Sequence, residues 1–326
     1  MSRIPTKDRK SPGRLKAWLT IASGPLFLIS FMAVAAHFGA LPGFGGLVSA
    51  LWSIAVAICI AIVIRGRKMM AVDAATLLEH DKRPLILYLR PFSKDGQFPL
   101  QKGLARLRSK RRLKLQGWTI ATYEEQVAHA LRKVGPFVAI GDPKKPLPEL
   151  GAARMWVDDP EWQGTVRDLV ARAGLIFMQI GESEGFCWEL DQVVKTADPH
   201  KLILGLPFAG KGGEKARQTQ YENFRMKSLT VLPKPLVEKP ADALFLYFDE
   251  SWTPHLLVTY KWIQLPDHSP EGHSSGILQL KALKELHSEF MLVSTPYWVR
   301  GGVLMAIVMI VWVSMVFVAL KYLFRP

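Results

Sequence analysis

The chain has 326 residues, 49% of them hydrophobic, and a formal net charge of +14. That length accommodates one or two domains. Its only cysteines, Cys59 and Cys187, exclude a disulfide framework and offer no metal-ligand spacing, which suits a reducing compartment.

A basic tail, 1–16, carries Arg3, Lys7, Arg9, Lys10, Arg14 and Lys16. It leads into "AWLTIASGPLFLISFMAVAA" (17–36), uncharged over the length needed to cross a bilayer core. "FGGLVSALWSIAVAICIAIVI" (44–64) repeats the pattern after the short loop "HFGALPG", so the pair reads as a transmembrane hairpin and not as a cleaved signal. A third run, "GGVLMAIVMIVWVSMVFVAL" (301–320), follows the interface residues Tyr297 and Trp298. Basic residues flank the hairpin on both outer sides, including Arg65, Arg67 and Lys68, whereas its loop has none. The positive-inside rule then makes 65–300 cytoplasmic, places the protein in the inner (cytoplasmic) membrane, and puts Pro326 outside.

Between the spans, 65–83 reads as a helical connector and 84–266 as one α/β domain. "PLILYL" (84–89) is a strand ending in a turn. The basic run 102–115 holds seven Lys or Arg and no acid, which fits anionic lipid headgroups better than nucleic acid in a chain already held at a membrane. "TYEEQVAHALRKVG" (122–135) opens with a capping-box pattern, Thr122 with Glu125, and continues at helical spacing. Strands follow at 136–142 and 153–159, a helix at 160–173, a strand at 174–180, a helix at 186–197 and strands at 201–208 and 243–249. Short apolar strands alternating with amphipathic helices predict a parallel sheet covered on both faces. The stretch 267–300 is expected to be a linker followed by an amphipathic helix (277–291) at the membrane interface.

Two stretches bear on chemistry. "GLPFAGKG" (205–212) approaches the phosphate-binding loop pattern, but Gly212 stands where a metal-ligating hydroxyl belongs and Pro207 lacks an amide hydrogen, so a flexible loop is the better account. "GESEGFCWEL" (181–190) places Ser183, Cys187, Trp188 and Glu189 where a strand gives way to a helix, the ligand-binding end of α/β sheets. Structural duties compete there. Glu189 fits an acid near a helix start, Trp188 a packing residue, and Cys187 a small apolar one.

The segment "RAGLIFMQIGESEGFCWELDQV" (172–193) resembles the part of TIR (Toll/interleukin-1 receptor) domains in which a strand ends in a Ser-containing loop and the next helix carries Trp, Cys and a Glu-Leu pair. "LILYLRPFSKDG" (85–96) is similar to the TIR opening, a strand followed by a Ser-x-Asp loop. The resemblance covers roughly 84–208 and implies a divergent bacterial TIR-like, flavodoxin-like parallel sheet. In this sequence Trp188 adjoins Glu189, whereas the family usually places the Trp four residues before the Glu.

The resemblance implies a membrane-tethered signalling or interaction module, working through self-association or a protein partner. Its alternative is an NAD-cleaving hydrolase with NAD as substrate and no resident cofactor or metal. In that case Glu189 would face the ribose as the glycosidic bond breaks, since a carboxylate stabilises an oxocarbenium-like centre. Trp188 or Phe92 would stack on a flat ring, Arg90 and Lys94 would meet the pyrophosphate, and Ser93 and Ser183 would stand in the two loops.

Overall fold

The computed structural model describes residues 14–39, 45–91, 122–141, 147–157, 161–207, 213–240, 243–258 and 274–291. The third apolar run, Pro326, Tyr297, Trp298, the basic run 102–115, most of the 266–276 linker, and Phe92, Ser93 and Lys94 lie outside them. The chain divides into two compact units, one containing Lys10–Ala71 and the other Val72–Val293.

The first unit pairs helix α1 (Arg14–Gly39) with helix α2 (Gly45–Met69). Three contacts fix an antiparallel hairpin. Gly66 lies against Ala17 and Ile21, Gly24 against Cys59 and Val63, and the Phe31 and Trp52 rings are 6.1 Å apart. Glycines at these positions let the backbones approach, the mode of packing that works where no hydrophobic effect is available. Leu15, Trp18, Leu19, Leu26, Ile29 and Val34 remain exposed, the reverse of a buried core helix. Among the described residues one stretch, Leu15–Ala35, is long and apolar enough to cross a membrane. Of the two predicted spans that fall among the described residues, one meets that test, and α2 is a continuous helix beside it; the third predicted run lies outside the described residues.

The second unit is a three-layer α/β domain. A short helix α3 (Ala74–His80), capped by the Asp73 carboxylate, precedes strand β1 (Ile86–Leu89). Then come α4 (Tyr123–Leu131), β2 (Phe137–Ile140), β3 (Ala153–Met155), α5 (Trp162–Arg172), β4 (Leu175–Gln179), α6 (Glu184–Thr196) and β5 (Leu202–Gly205). Helix α7 (Gly213–Ser228), β6 (Ala243–Phe248), β7 (Pro254–Val258) and α8 (Ser274–Met291) complete it. The strand order is β3-β2-β1-β4-β5-β6-β7. Every residue of β1, β2, β4 and β5 is buried, as expected for strands covered on both faces.

The alternation of side chains sorts the core into two layers. Leu87, Leu89, Ile176 and Met178 face α3, α5, α6 and α7, while Ile86, Tyr88, Leu175 and Phe177 face α4 and α8. The capping box at α4 forms as read: Thr122 N–H donates to Glu125 Oε2 at 2.8 Å, and Glu125 N–H donates to Thr122 Oγ1 at 3.2 Å.

Three expectations are corrected. The sheet is mixed: β3, β2, β1, β4 and β5 run parallel, β6 is antiparallel to β5, and β7 is antiparallel to β6. The cause lies after α7, where the chain returns to the carboxyl end of β5. There Leu206 N–H donates to Leu244 O and Arg217 Nη2 to Ala243 O, so β6 starts where β5 stops. Next, the helix assigned to the membrane interface buries Ala282, Leu283, Leu286 and Phe290 against the domain. His129–Glu289 (2.7 Å) and Lys133–Glu285 (2.9 Å) pair it with α4. Last, the strand expected at 153–159 closes after three residues.

Candidate functional site

The chain passes from β1 to β2 and β3 on one side, then to β4 and β5 on the other, so the strand order reverses between β1 and β4. Ligands of open α/β sheets bind outside the carboxyl ends of the strands at such a point. Here it is framed by Arg90 and Pro91 after β1, and by Ile180 to Ser183 after β4.

Helix α6 starts at Ser183, whose Oγ accepts from Phe186 N–H at 3.3 Å. The predicted ligand residue Ser183 is thus an N-cap as well as part of the loop. Phe186, Leu190 and Val193 form the buried face of α6, and Glu189 falls on it, three residues after Phe186 and four before Val193. Glu189 is half-buried. Loss of water around its carboxyl pushes the group up to about 8, against the pull of the Arg90 guanidinium. At neutral pH it therefore carries its proton.

Trp188 is turned about 100° away on the helix. Its ring meets Trp162 of α5 edge-on, with centroids 4.9 Å apart, and the Arg167 guanidinium lies over it at 5.5 Å. The predicted stacking residue is thus engaged by α5, which accounts for its packing reading.

Arg90 is placed by the end of β1 on the α4 side of the sheet, over the Tyr88 ring at 5.4 Å. Its Nη1 donates to Ile140 O at 3.2 Å and its Nε lies 3.4 Å from Glu124 Oε2. Glu124 also accepts from Ala152 N–H at 2.8 Å and from Arg154 Nη2 at 2.6 and 2.8 Å. The side chains of Arg90, Glu124 and Arg154 are only 2%, 7% and 3% exposed. This buried charge cluster was not anticipated. Its one sequence signal is Arg154, a charged residue inside an apolar strand pattern.

A cleft of about 200 Å³ opens at the β4–α6 loop, lined among others by Pro91, Gly181, Ser183, Pro207, Gln220 and Phe224. Glu189, Arg90 and Trp188 are not in its walls. The crevice directly between β1 and β4 is filled by protein: the Pro91 ring packs so closely on Gly181 that a Cβ there would collide with it. Lys227 Nζ donates to Glu182 O at 2.6 Å and ties α7 to the same loop.

Gly205, first residue of the phosphate-loop-like stretch, is the last residue of β5 and is paired in the sheet with Gln179 and Phe245. Its Cα faces the Tyr123 hydroxyl and the buried Gln179 Oε1, which has no hydrogen-bond partner among the described residues. Asp249, just after β6, shapes the β6–β7 turn. Burial opposes its charge, but bonds from Thr253 N–H, His255 and Ser251 N–H hold it down at about 2. Among the described residues no group of three His, Cys, Asp or Glu is arranged to hold a metal ion. No protein-family model, no curated protein and no solved structure matches the chain.

Proposed function

We propose that the chain is a multi-pass membrane protein presenting a cytoplasmic, TIR-like α/β module that works by protein contact and self-association rather than by turnover. The hairpin of α1 and α2 anchors it, and the basic flanks orient it. The basic run 102–115 adds attraction to anionic headgroups.

The observation that carries this reading is the packing of Pro91 on Gly181, with Glu189 turned inward and neutral behind it. The neighbouring cleft, about 200 Å³, is below the ~300–1000 Å³ of small-molecule sites. The test is made on the full chain in lipid nanodiscs at high protein density. Size analysis is expected to show self-association, and incubation with NAD to release no nicotinamide. Nicotinamide release that is lost in Glu189→Gln would overturn it.

A second reading, an NAD-cleaving hydrolase, is favoured by one observation. A carboxyl raised to about 8 beside a buried guanidinium, at the carboxyl ends of β1 and β4, is the kind of perturbed group that concentrates at functional sites. In that reading the positive charge of the bound nicotinamide ring lowers the raised Glu189 value, the carboxyl releases its proton to solvent, and the carboxylate faces the ribose.

A further inference from the structure

The α1–α2 hairpin carries charge of one sign. Residues 10–71 contain six Lys or Arg and no Asp or Glu, so the unit holds no carboxylate of its own to balance them. The contacts of Gly66 with Ala17 and Ile21, and of Gly24 with Cys59 and Val63, set the helices antiparallel. The start of α1 and the end of α2 therefore lie side by side, and Lys16 and Arg65 belong to that end. Both are exposed, and neither has an ion-pair partner among the described residues.

Their directions follow from the seam. Counted at about 100° per residue from Ala17, Ile21 and Gly24 on α1 and from Cys59 and Gly66 on α2, Lys16 and Arg65 fall on one flank of the hairpin. Trp18 and Arg67 fall on the other. Along the hairpin Lys16 and Arg65 differ by about one helical turn, ~5–6 Å, a gap that two long side chains close by extending their heads to one level. The same flank continues as apolar surface. Ile58 and Ile54 stand seven and eleven residues before Arg65, Phe27 stands eleven after Lys16, and all three are exposed.

We infer that Lys16 and Arg65 hold the phosphate of one anionic phospholipid, whose acyl chains lie along Phe27, Ile54 and Ile58. Two cations without a carboxylate above an exposed apolar strip match the two ends of such a molecule, headgroup and tail. The inference rests on the membrane part of the proposed function and adds to it a defined lipid site, one residue from each helix.

The full chain is tested in nanodiscs of phosphatidylcholine and phosphatidylglycerol in equal amounts, with the lipids that stay bound after transfer to detergent counted by native mass spectrometry. Phosphatidylglycerol is expected to be retained at least about threefold over phosphatidylcholine. Lys16→Gln and Arg65→Gln should each remove about half of that preference or more, whereas Arg67→Gln, on the other flank, should leave most of it. The pair Lys16→Arg with Arg65→Lys keeps both charges and should keep the preference. All these variants leave the run 102–115 intact, so its attraction does not enter the differences. Equal retention of the two lipids, or equal losses in all three Gln variants, overturns the inference. So does loss of the preference to inorganic phosphate but not to chloride of the same ionic strength, which marks a site for a free anion. A chain stripped from vesicles by alkaline wash fails the membrane reading as well, whereas a chain that stays embedded without lipid preference fails this inference alone.

Discussion

Two carboxylates occupy equivalent places on opposite sides of the sheet's carboxyl edge, and they are treated in opposite ways. Glu124, near the start of α4, is deeply buried but meets two guanidinium groups and a backbone N–H. Glu189, in the second turn of α6, is less buried, yet it shares the helix face of Phe186, Leu190 and Val193, and among the described residues the charge acting on it is that of Arg90. Partners, and not depth, decide what a buried acid becomes. One is a structural ion pair and the other a neutral acid.

The largest effect is expected from breaking the paired side. Glu124→Gln leaves two buried guanidinium groups around an uncharged amide and should cost about 3–5 kcal/mol in denaturant unfolding. A loss below about 1 kcal/mol would mean that the cluster is hydrated, as for surface pairs. Next is the closed crevice. Gly181→Ala drives a methyl into the Pro91 ring and should cost about 1–3 kcal/mol, the range for overpacking.

Glu189 should respond with the opposite sign. Its folded-state value, near 8, lies above the ordinary 4.5, so its contribution is fully present below about 4.5 and is lost as pH rises through 8. Glu189→Gln should flatten that decline and leave the variant more stable than the parent above pH 8. A gain of roughly 1–2 kcal/mol is expected, well below the full linkage value, because the residue keeps some contact with water. Equal pH slopes for the two proteins in thermal melts would contradict it.

The smallest effect compares the two helix starts. Thr122→Ala removes one arm of a reciprocal capping box and should cost about 1 kcal/mol, whereas Ser183→Ala removes a single 3.3 Å bond and should cost about half of that. The reverse order in thermal melts would mean that α6, not α4, is the locally pinned helix.

What could be read from sequence follows the range of the interactions. The Thr122–Glu125 box and the apolar strands are local patterns, and they formed where the spacing put them. Helix α7 escaped notice because its inward positions include Arg217, a buried polar residue between the few apolar ones, so its periodicity is weak. β7 is five residues long and begins just after Trp252, whose φ of 59° lies outside any strand pattern. Helix α8 was assigned to the lipid surface because an apolar stripe does not say what covers it; here it is α4 and the sheet. At the site, Glu189 was singled out by its place at a strand-to-helix junction. Glu124 and Arg154 were not, because their pairing joins residues 30 apart and leaves no local trace. Trp188 packs as its structural reading held, but its partner Trp162 on α5 left no local trace in the sequence.

The central claim is that Glu189 is a neutral, inward-facing acid behind a closed crevice. Infrared difference spectroscopy of the full chain against Glu189→Gln measures it directly. A protonated-carboxyl band at pH 7 that depends on Glu189 and fades as pH passes 8 is the predicted result. A Glu189 carboxylate already ionised at pH 7 would contradict the account.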